Sequence, residues 1–295
     1  MILIAGASGV LGTAICRRLA AQGKPIRALV RTTTDPAKID TLKALGAELV
    51  YGDLKDRASL DSACVGVRTV ISTATTTISR QPDDTIHSVD QEGQISLVQA
   101  AQAARVSQFV YISYSANIDA GDDPSPLTVA KRSVEECLTG SGMMYTILRP
   151  SCFMEIWLSP VLGFDYPNAK AQIYGEGVNK LTFISLSDVA EFAVQSIDNP
   201  AARNAVIELG GPEALSPLDV VKIFEEVGGR QFETQHVPED ALRAQYAQAS
   251  DPLQKSFSAL MLAVHTGDVI DMSSTLRTFP MDLVTVRDYA KRVLA

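Results

Sequence analysis

The first half of the chain repeats one unit: a short apolar run rich in β-branched residues, a turn, then an amphipathic segment of helical length. A strand buried on both faces reads as a continuous apolar run, so this alternation predicts a parallel sheet with crossover helices. Strands are expected at Ile2-Ala5, Ile26-Val30, Glu48-Tyr51, Thr69-Ser72, Phe109-Ile112 and Tyr145-Leu148. Apolar periodicity places helices at Leu11-Ala21, Pro36-Leu45, Arg57-Ala63, Thr85-Ala104 and Thr128-Thr139. Gly23, Asp35-Pro36 and Gly46 supply the stop and start signals. Right-handed crossovers force helices onto both faces, which gives a doubly wound α/β domain of the Rossmann type.

After Arg149-Pro150 the rhythm changes, and aromatic and loop residues replace the alternation. Residues 1–150 are therefore expected to form the dinucleotide-binding domain and 151–295 a smaller substrate lobe. A helix near Ser187-Ile197 and a strand near Val206-Leu209 are expected to return to the first sheet, so the lobes interleave. Further helical patterns run over Ser216-Val227, Leu242-Leu262 and Val284-Leu294. A net charge of -8 with interspersed signs disfavours a nucleic-acid or anionic-membrane partner. The four cysteines are scattered singly, as for reduced thiols in a cytoplasmic protein, and the three histidines are far apart in sequence, against a metal site. Met1 leads directly into the first strand, and no apolar run approaches the length of a membrane span, so neither a leader nor a membrane anchor is expected. The pattern leaves the oligomeric state open.

The loop Gly6-Ala7-Ser8-Gly9-Val10-Leu11-Gly12 lies between a buried strand and a helix, where the chemistry of a diphosphate needs it. Gly6 permits the tight turn, Gly9 lets backbone N–H groups approach the phosphates, and Gly12 lets the helix pack against the strand. The helix start then offers oriented donors and partial positive charge. At the end of the second strand an NAD site carries a carboxylate for the ribose 2′-OH, whereas this chain has Arg31-Thr32. A guanidinium grips a 2′-phosphate, so NADP(H) is the expected cofactor, with Thr33 and Lys38 as further contacts. NAD(H) is the alternative, with Asp35 rather than Arg31 reaching the ribose. Asp53-Leu54 after the third strand and Thr73-Ala74-Thr75 after the fourth are expected beside the adenosine; capping of the next helix is the alternative for Asp53.

The segments GASGVLG, ALVRT, GDL, FVYIS, an isolated Lys131, YTILRPSCFME, LTFISLSDVAEFAV and IELGGPEALSPLDVV together resemble the NmrA-like, atypical branch of the short-chain dehydrogenase/reductase superfamily. The resemblance covers about Met1 to Val237. It implies NADP(H) at the glycine loop and a small C-terminal lobe. Members of the branch include reductases of carbonyls, enol ethers, quinones and aromatic-type double bonds, alongside proteins that sense NADP(H) or assist assembly of complexes. The superfamily's Tyr-x-x-x-Lys is broken, because Leu127 stands four residues before Lys131. A tyrosine-driven dehydrogenase or a sugar-nucleotide epimerase is therefore disfavoured.

Lys131 matches the family position near the nicotinamide ribose, with Ser113 and Tyr114 coming off the fifth strand nearby. Lys131 is the first candidate proton donor and Tyr114 the second. In the family the turn Pro150-Ser151-Cys152-Phe153 runs beside the nicotinamide, where Phe153 would shield a ring face; Cys152 reads as a small core residue. Met154, Trp157, Phe164 and Tyr166 are expected to line an apolar pocket, although core packing explains them equally well. The function expected is NADP(H)-dependent hydride transfer to a small apolar or aromatic carbonyl, quinone or enone acceptor. The alternative is a non-catalytic NADP(H)-sensing regulatory or assembly protein.

Overall fold

A computed structural model of the chain describes residues 1–78, 80–119 and 123–295. The chain divides into two compact units. The first comprises Met1–Ser113, Pro126–Arg149 and Val189–Ile207; the second comprises Tyr114–Ser125, Pro150–Asp188 and Glu208–Ala295.

The first unit begins β1 (Ile2–Ala5), α1 (Val10–Ala21), β2 (Ile26–Val30), α2 (Pro36–Ala44), β3 (Glu48–Tyr51), α3 (Arg57–Ala63) and β4 (Thr69–Ser72). A π-helical segment, Ile86–Gly93, then runs straight into α4 (Gln94–Ala103), followed by β5 (Gln108–Ile112), α5 (Pro126–Thr139) and β6 (Met144–Pro150). The remaining elements are α6 (Met154–Trp157), β7 (Phe164–Asp165), β8 (Lys170–Tyr174), α7 (Leu186–Gln195), β9 (Ala205–Leu209) and α8 (Pro217–Gly228). The chain ends with β10 (Glu233–Val237), α9 (Glu239–Gln248), α10 (Pro252–Thr266), α11 (Ser273–Thr278) and α12 (Val286–Leu294).

Seven strands form one sheet in the order β3-β2-β1-β4-β5-β6-β9. The registers from β3 through β6 are parallel, with Leu3 opposite Arg27 on one side and Val70 on the other. The order reverses between β1 and β4, the switch point at which open α/β sheets bind ligands outside the carboxyl ends of their strands. Leu3, Val70, Phe109, Tyr111 and Ile147 of the strands are buried with Leu97, Val98, Val134 and Leu138 of the helices in one apolar cluster. Fully burying a large side chain of this kind stabilises the fold by roughly 1.5–3 kcal/mol.

Local signals explain the starts of the helices. Asp35 caps α2, accepting from the Ala37 amide with Pro36 in the first turn, and Asp56 caps α3 through Ala58. The helix expected at Thr85-Ala104 differs in its first two turns, which are π-helical after a Thr85–Ser88 capping box. The Leu242-Leu262 pattern is two helices rather than one. Asp251 caps α10 through the Gln254 amide and Pro252 occupies its first turn, so the chain restarts there.

The second unit contains a three-stranded sheet, β10-β8-β7, that periodicity did not predict. β10 is almost wholly exposed, so its sequence, Glu-Thr-Gln-His-Val, carries no apolar alternation; it pairs with β8 in parallel, Glu233 opposite Lys170.

Candidate functional site

The glycine loop closes tightly on itself. Gly6 has φ +82°, and a Cβ there would stand 2.6 Å from Thr73 Oγ1 and 2.8 Å from the Ala74 amide nitrogen. A Cβ on Gly12 would approach the Gly6 carbonyl oxygen to 2.1 Å, so only glycine allows α1 to start this close to the end of β1. Gly9 is the N-cap of α1, with no side-chain cap and no acidic residue in the first turn. The first N–H groups of a helix have no intrahelical acceptor, so this turn presents oriented donors to an anion. Ser8 is half-buried and Val10 exposed, whereas the side chain of Leu11 belongs to the core and leaves its backbone to the loop.

Arg31, at the end of β2, is held by a strap that the sequence did not single out. Its Nη1 donates to Asp84 Oδ2 at 2.7 Å, and the Arg31 side chain is 35 % exposed against 1 % for Asp84. Lys55 Nζ donates to the other oxygen of Asp84 at 2.6 Å, and also to Asp83 at 2.8 Å. Burial opposes ionisation of Asp84, but the Gln81 amide, Lys55 and Arg31 outweigh it and hold the carboxyl below its ordinary range. One edge of the guanidinium is thus fixed while the side chain stays accessible. Thr32 is exposed, Thr33 accepts from Gln81, and Thr34 accepts from the Arg31 amide. Asp35 is occupied as the cap of α2.

Asp53 accepts from the Lys55 amide and does not cap α3, a role that Asp56 fills. The Leu54 side chain is 7 % exposed and packed in the core, so only its backbone is available. After β4, Thr73 Oγ1 donates to the Ala5 carbonyl, Gln94 Nε2 donates to the Ala74 carbonyl, and the Thr75 and Thr77 hydroxyls stand 3.2 Å apart. The Thr76 amide and hydroxyl donate to Asp90 Oδ2, which ties this turn to the π-helical segment.

Lys131, in the middle of α5, is buried, and its Nζ donates to the carbonyl of Ile112 at the end of β5, at 3.2 Å. The ammonium also lies 5.1 Å from the centroid of the Tyr111 ring. Desolvation lowers the Lys131 pKa below 10.5, Asp90 and Glu135 act against that, and Arg132 adds to it. Leu127, where the superfamily has tyrosine, is a buried core residue. Ser113, expected to face the cofactor, is buried and donates its hydroxyl to Glu135. Glu135 also accepts from Arg132 at 2.7 Å and from Arg149 at 3.1 and 2.5 Å. Burial pushes its carboxyl up, but Arg149, Ser113 and Arg132 outweigh that and hold it below 4.5.

The remaining expected site residues lie in the second unit. The Tyr114 hydroxyl stands 3.6 Å from Cys152 Sγ, and burial raises its pKa well above 10. Cys152 is 2 % exposed and desolvation pushes its thiol up to about 12, so it holds no thiolate at neutral pH. Pro150 ends β6, and Phe153 leads into α6 with its backbone bridged to Ile184. Phe164 and Tyr166 are packed against Phe224, at centroid distances of 4.8 and 6.1 Å. Core packing accounts for Tyr166, whereas Phe164 also lines, with Trp157, Tyr174, Phe183, Val220 and Val264, a small apolar cavity. That cavity encloses about 30 Å³, room for a water rather than an aromatic ligand, which needs ~300 Å³ or more.

The sheet order, the close Gly6–Gly12 approach and the uncapped helix start at the switch point define a Rossmann-type α/β protein. More particularly, the chain belongs to the NmrA-like family, whose model matches residues 1–279. It is 30% identical to the isoflavone reductase homolog IRL of Zea mays, over 99% of this chain and 98% of that protein. It is 31% identical to the photosystem II assembly factor Ycf39 of Trieres chinensis, over 80% of this chain and 72% of that one. Among solved structures it resembles the NADPH-dependent quinone oxidoreductase QOR2 of Escherichia coli complexed with NADPH, with a TM-score of 0.80, 24% identity and 100% of each chain covered. Among the described residues, no helix is long and apolar enough to cross a membrane.

Proposed function

We propose that the chain is an NADPH-dependent reductase of a small apolar carbonyl, quinone or enone acceptor. The observation that carries this reading is Lys131: a buried lysine whose Nζ reaches the carboxyl end of β5, in the same unit as a glycine loop suited to a diphosphate. The loop amides would hold the diphosphate, and the exposed part of Arg31 the 2′-phosphate. Thr73, Ala74, Thr75, Asp53 and the Leu54 backbone would border the adenosine, and Lys131 the nicotinamide ribose. NADPH, when bound, supplies a hydride.

The chain must then deal with the negative charge that grows on the acceptor oxygen. Lys131 has three N–H donors and spends one on the Ile112 carbonyl, which leaves donors for a ribose hydroxyl and for that oxygen. Proton transfer from Nζ to that oxygen completes the alcohol or hydroquinone, or gives an enol that tautomerises to the saturated ketone, and solvent returns the proton to Lys131. Burial lowers the lysine pKa toward the range in which such transfer is efficient. The Tyr114 phenol, with its pKa raised well above 10, is the poorer acid.

Two measurements test this assignment. In Arg31→Ala, loss of a charge-assisted contact worth roughly 1.5–3 kcal/mol should weaken NADPH binding about ten- to hundredfold. NADH binding should change less than twofold in the same fluorescence titration; equal losses for both nucleotides would remove the 2′-phosphate assignment. NADPH oxidation followed against a panel of quinones, aldehydes and enones addresses turnover, and Lys131→Ala should slow any reaction found at least a hundredfold. The likeness to an assembly factor supports a second reading, an NADP(H)-responsive binding protein. Tight NADPH binding without consumption by any acceptor of the panel would select it.

A further inference from the structure

Asp90, in the π-helical segment, is a fully buried carboxylate that the proposed reaction does not use. Its Oδ2 is shared by the amide and the hydroxyl of Thr76, at 3.0 and 2.6 Å. Its Oδ1, equally buried, has no hydrogen-bond partner. A buried carboxylate oxygen in that condition is costly unless a cation compensates it. The π-helical segment packs directly against α5, the helix that carries Lys131.

Lys131 is the complementary group: a buried lysine whose one hydrogen bond goes to a neutral carbonyl. The charged and titratable groups acting on it from the packed elements are few. Asp90 of the π-helical segment and Glu135 of α5 favour its charged form, and Arg132 of α5 opposes it. Tyr111 of β5 offers its ring face, and its own buried hydroxyl is also without a partner. Glu135 is already neutralised by Arg132 and Arg149, which leaves Asp90 as the carboxylate with charge to spare. π-Helical turns shift side chains off the α-helical register and occur at functional sites, and this one brings Asp90 within reach of Thr76.

We propose that Asp90 is a positioning residue for Lys131: one carboxylate oxygen anchors the turn after β4 through Thr76, and the charge of the other keeps the buried lysine an ammonium. Only the use of that ammonium in a reaction rests on the function proposed above. The electrostatic influence of Asp90 on Lys131, exerted without a direct hydrogen bond, belongs to the folded chain and is tested without substrate.

The experiment is an NMR titration of full-length protein labelled with ¹³C,¹⁵N-lysine, in which Lys131→Arg identifies the Lys131 signal. In Asp90→Asn, which keeps the shape and removes the charge, the Lys131 pKa should fall by about one unit, a tenfold loss of proton affinity. Asp90→Glu, which keeps the charge, should stay within half of that fall. Asp90→Ser, which retains an acceptor for Thr76, is the second charge-removing variant should Asp90→Asn not fold. An unchanged Lys131 titration in either folded neutral variant overturns the proposal. Failure of both to fold overturns it as well, since Asp90 would then be required for folding itself. Absence of NADPH turnover, by contrast, would sink the reductase assignment and leave this result standing.

Discussion

Gly12→Ala is expected to weaken NADPH binding at least a hundredfold, about 2.7 kcal/mol or more. The added methyl would stand 2.1 Å from the Gly6 carbonyl oxygen, 2.7 Å from its carbon and 2.9 Å from the Ala7 Cα. All three are backbone atoms, so no side chain can swing aside and α1 itself must move. A displaced helix start misaims its donors, and a small displacement of positioned groups is expensive. Gly140→Ala is the control, because its φ is ordinary and the nearest atom to an added Cβ, the Glu136 carbonyl oxygen, is 3.4 Å away. Isothermal titration with NADPH should separate the two variants at equal far-UV circular dichroism. Wild-type affinity in Gly12→Ala would mean that the diphosphate is held elsewhere.

The second large effect is on stability. Glu135 is 6 % exposed and neutralises two arginines, so Glu135→Gln should destabilise the protein by roughly 3 kcal/mol at pH 7, because the guanidinium groups lose their counter-ion. The effect should depend on pH with a definite sign. The folded-state pKa of Glu135 lies below 4.5, so its contribution is fully present above the unfolded value and is lost as pH falls through the folded one. Urea unfolding of wild type and Glu135→Gln should therefore differ widely at pH 7 and converge as the pH falls through the depressed folded-state value of Glu135. A gap that persists unchanged at the acid end would contradict the assignment of that stability to the ionised carboxylate. Ser113 belongs to the same cluster, so its hydroxyl serves the fold through Glu135.

Much of the architecture could be read from local pattern. β1, β2, β3 and β4 run over the residues that apolar runs and turn residues indicate; β1 and β4 are buried along their whole length, whereas the edge strand β3 is exposed at both ends and is marked by its Leu49-Val50 pair. Asp35-Pro36 shows where α2 starts, since a side-chain acceptor followed by a residue without an N–H is itself the cap. Where the signal was local but outweighed, the expectation failed. Asp251-Pro252 is also a helix start, hidden inside a continuous helical periodicity that runs across α9 and α10. β10 escaped notice because a polar, exposed edge strand is specified by its partner β8 and not by its own pattern.

The candidate site divides the same way. Gly6, Gly9 and Gly12 are legible because the constraint they answer, a turn and a close helix approach, involves near neighbours in sequence. Asp84, Lys55, Asp90 and Glu135 are not, because nothing in their flanking residues distinguishes them from solvated surface charges. Arg31 and Asp84 are 53 positions apart, and only the packing of the segment after β4 against the end of β2 brings them to 2.7 Å.

By itself the sequence determined the parallel sheet, the glycine turn at the end of β1 and the cation at the end of β2, since each follows from the pattern or chemistry of adjacent residues. Only the tertiary structure decided which charges are buried and what neutralises them: Asp84 between Arg31 and Lys55, Glu135 between Arg132 and Arg149, Asp90 beside Thr76. The reason is physical. The cost of burying a charge, and the partner that offsets it, depend on which atoms replace water around it, and those atoms come from segments that are neighbours only once the chain has folded.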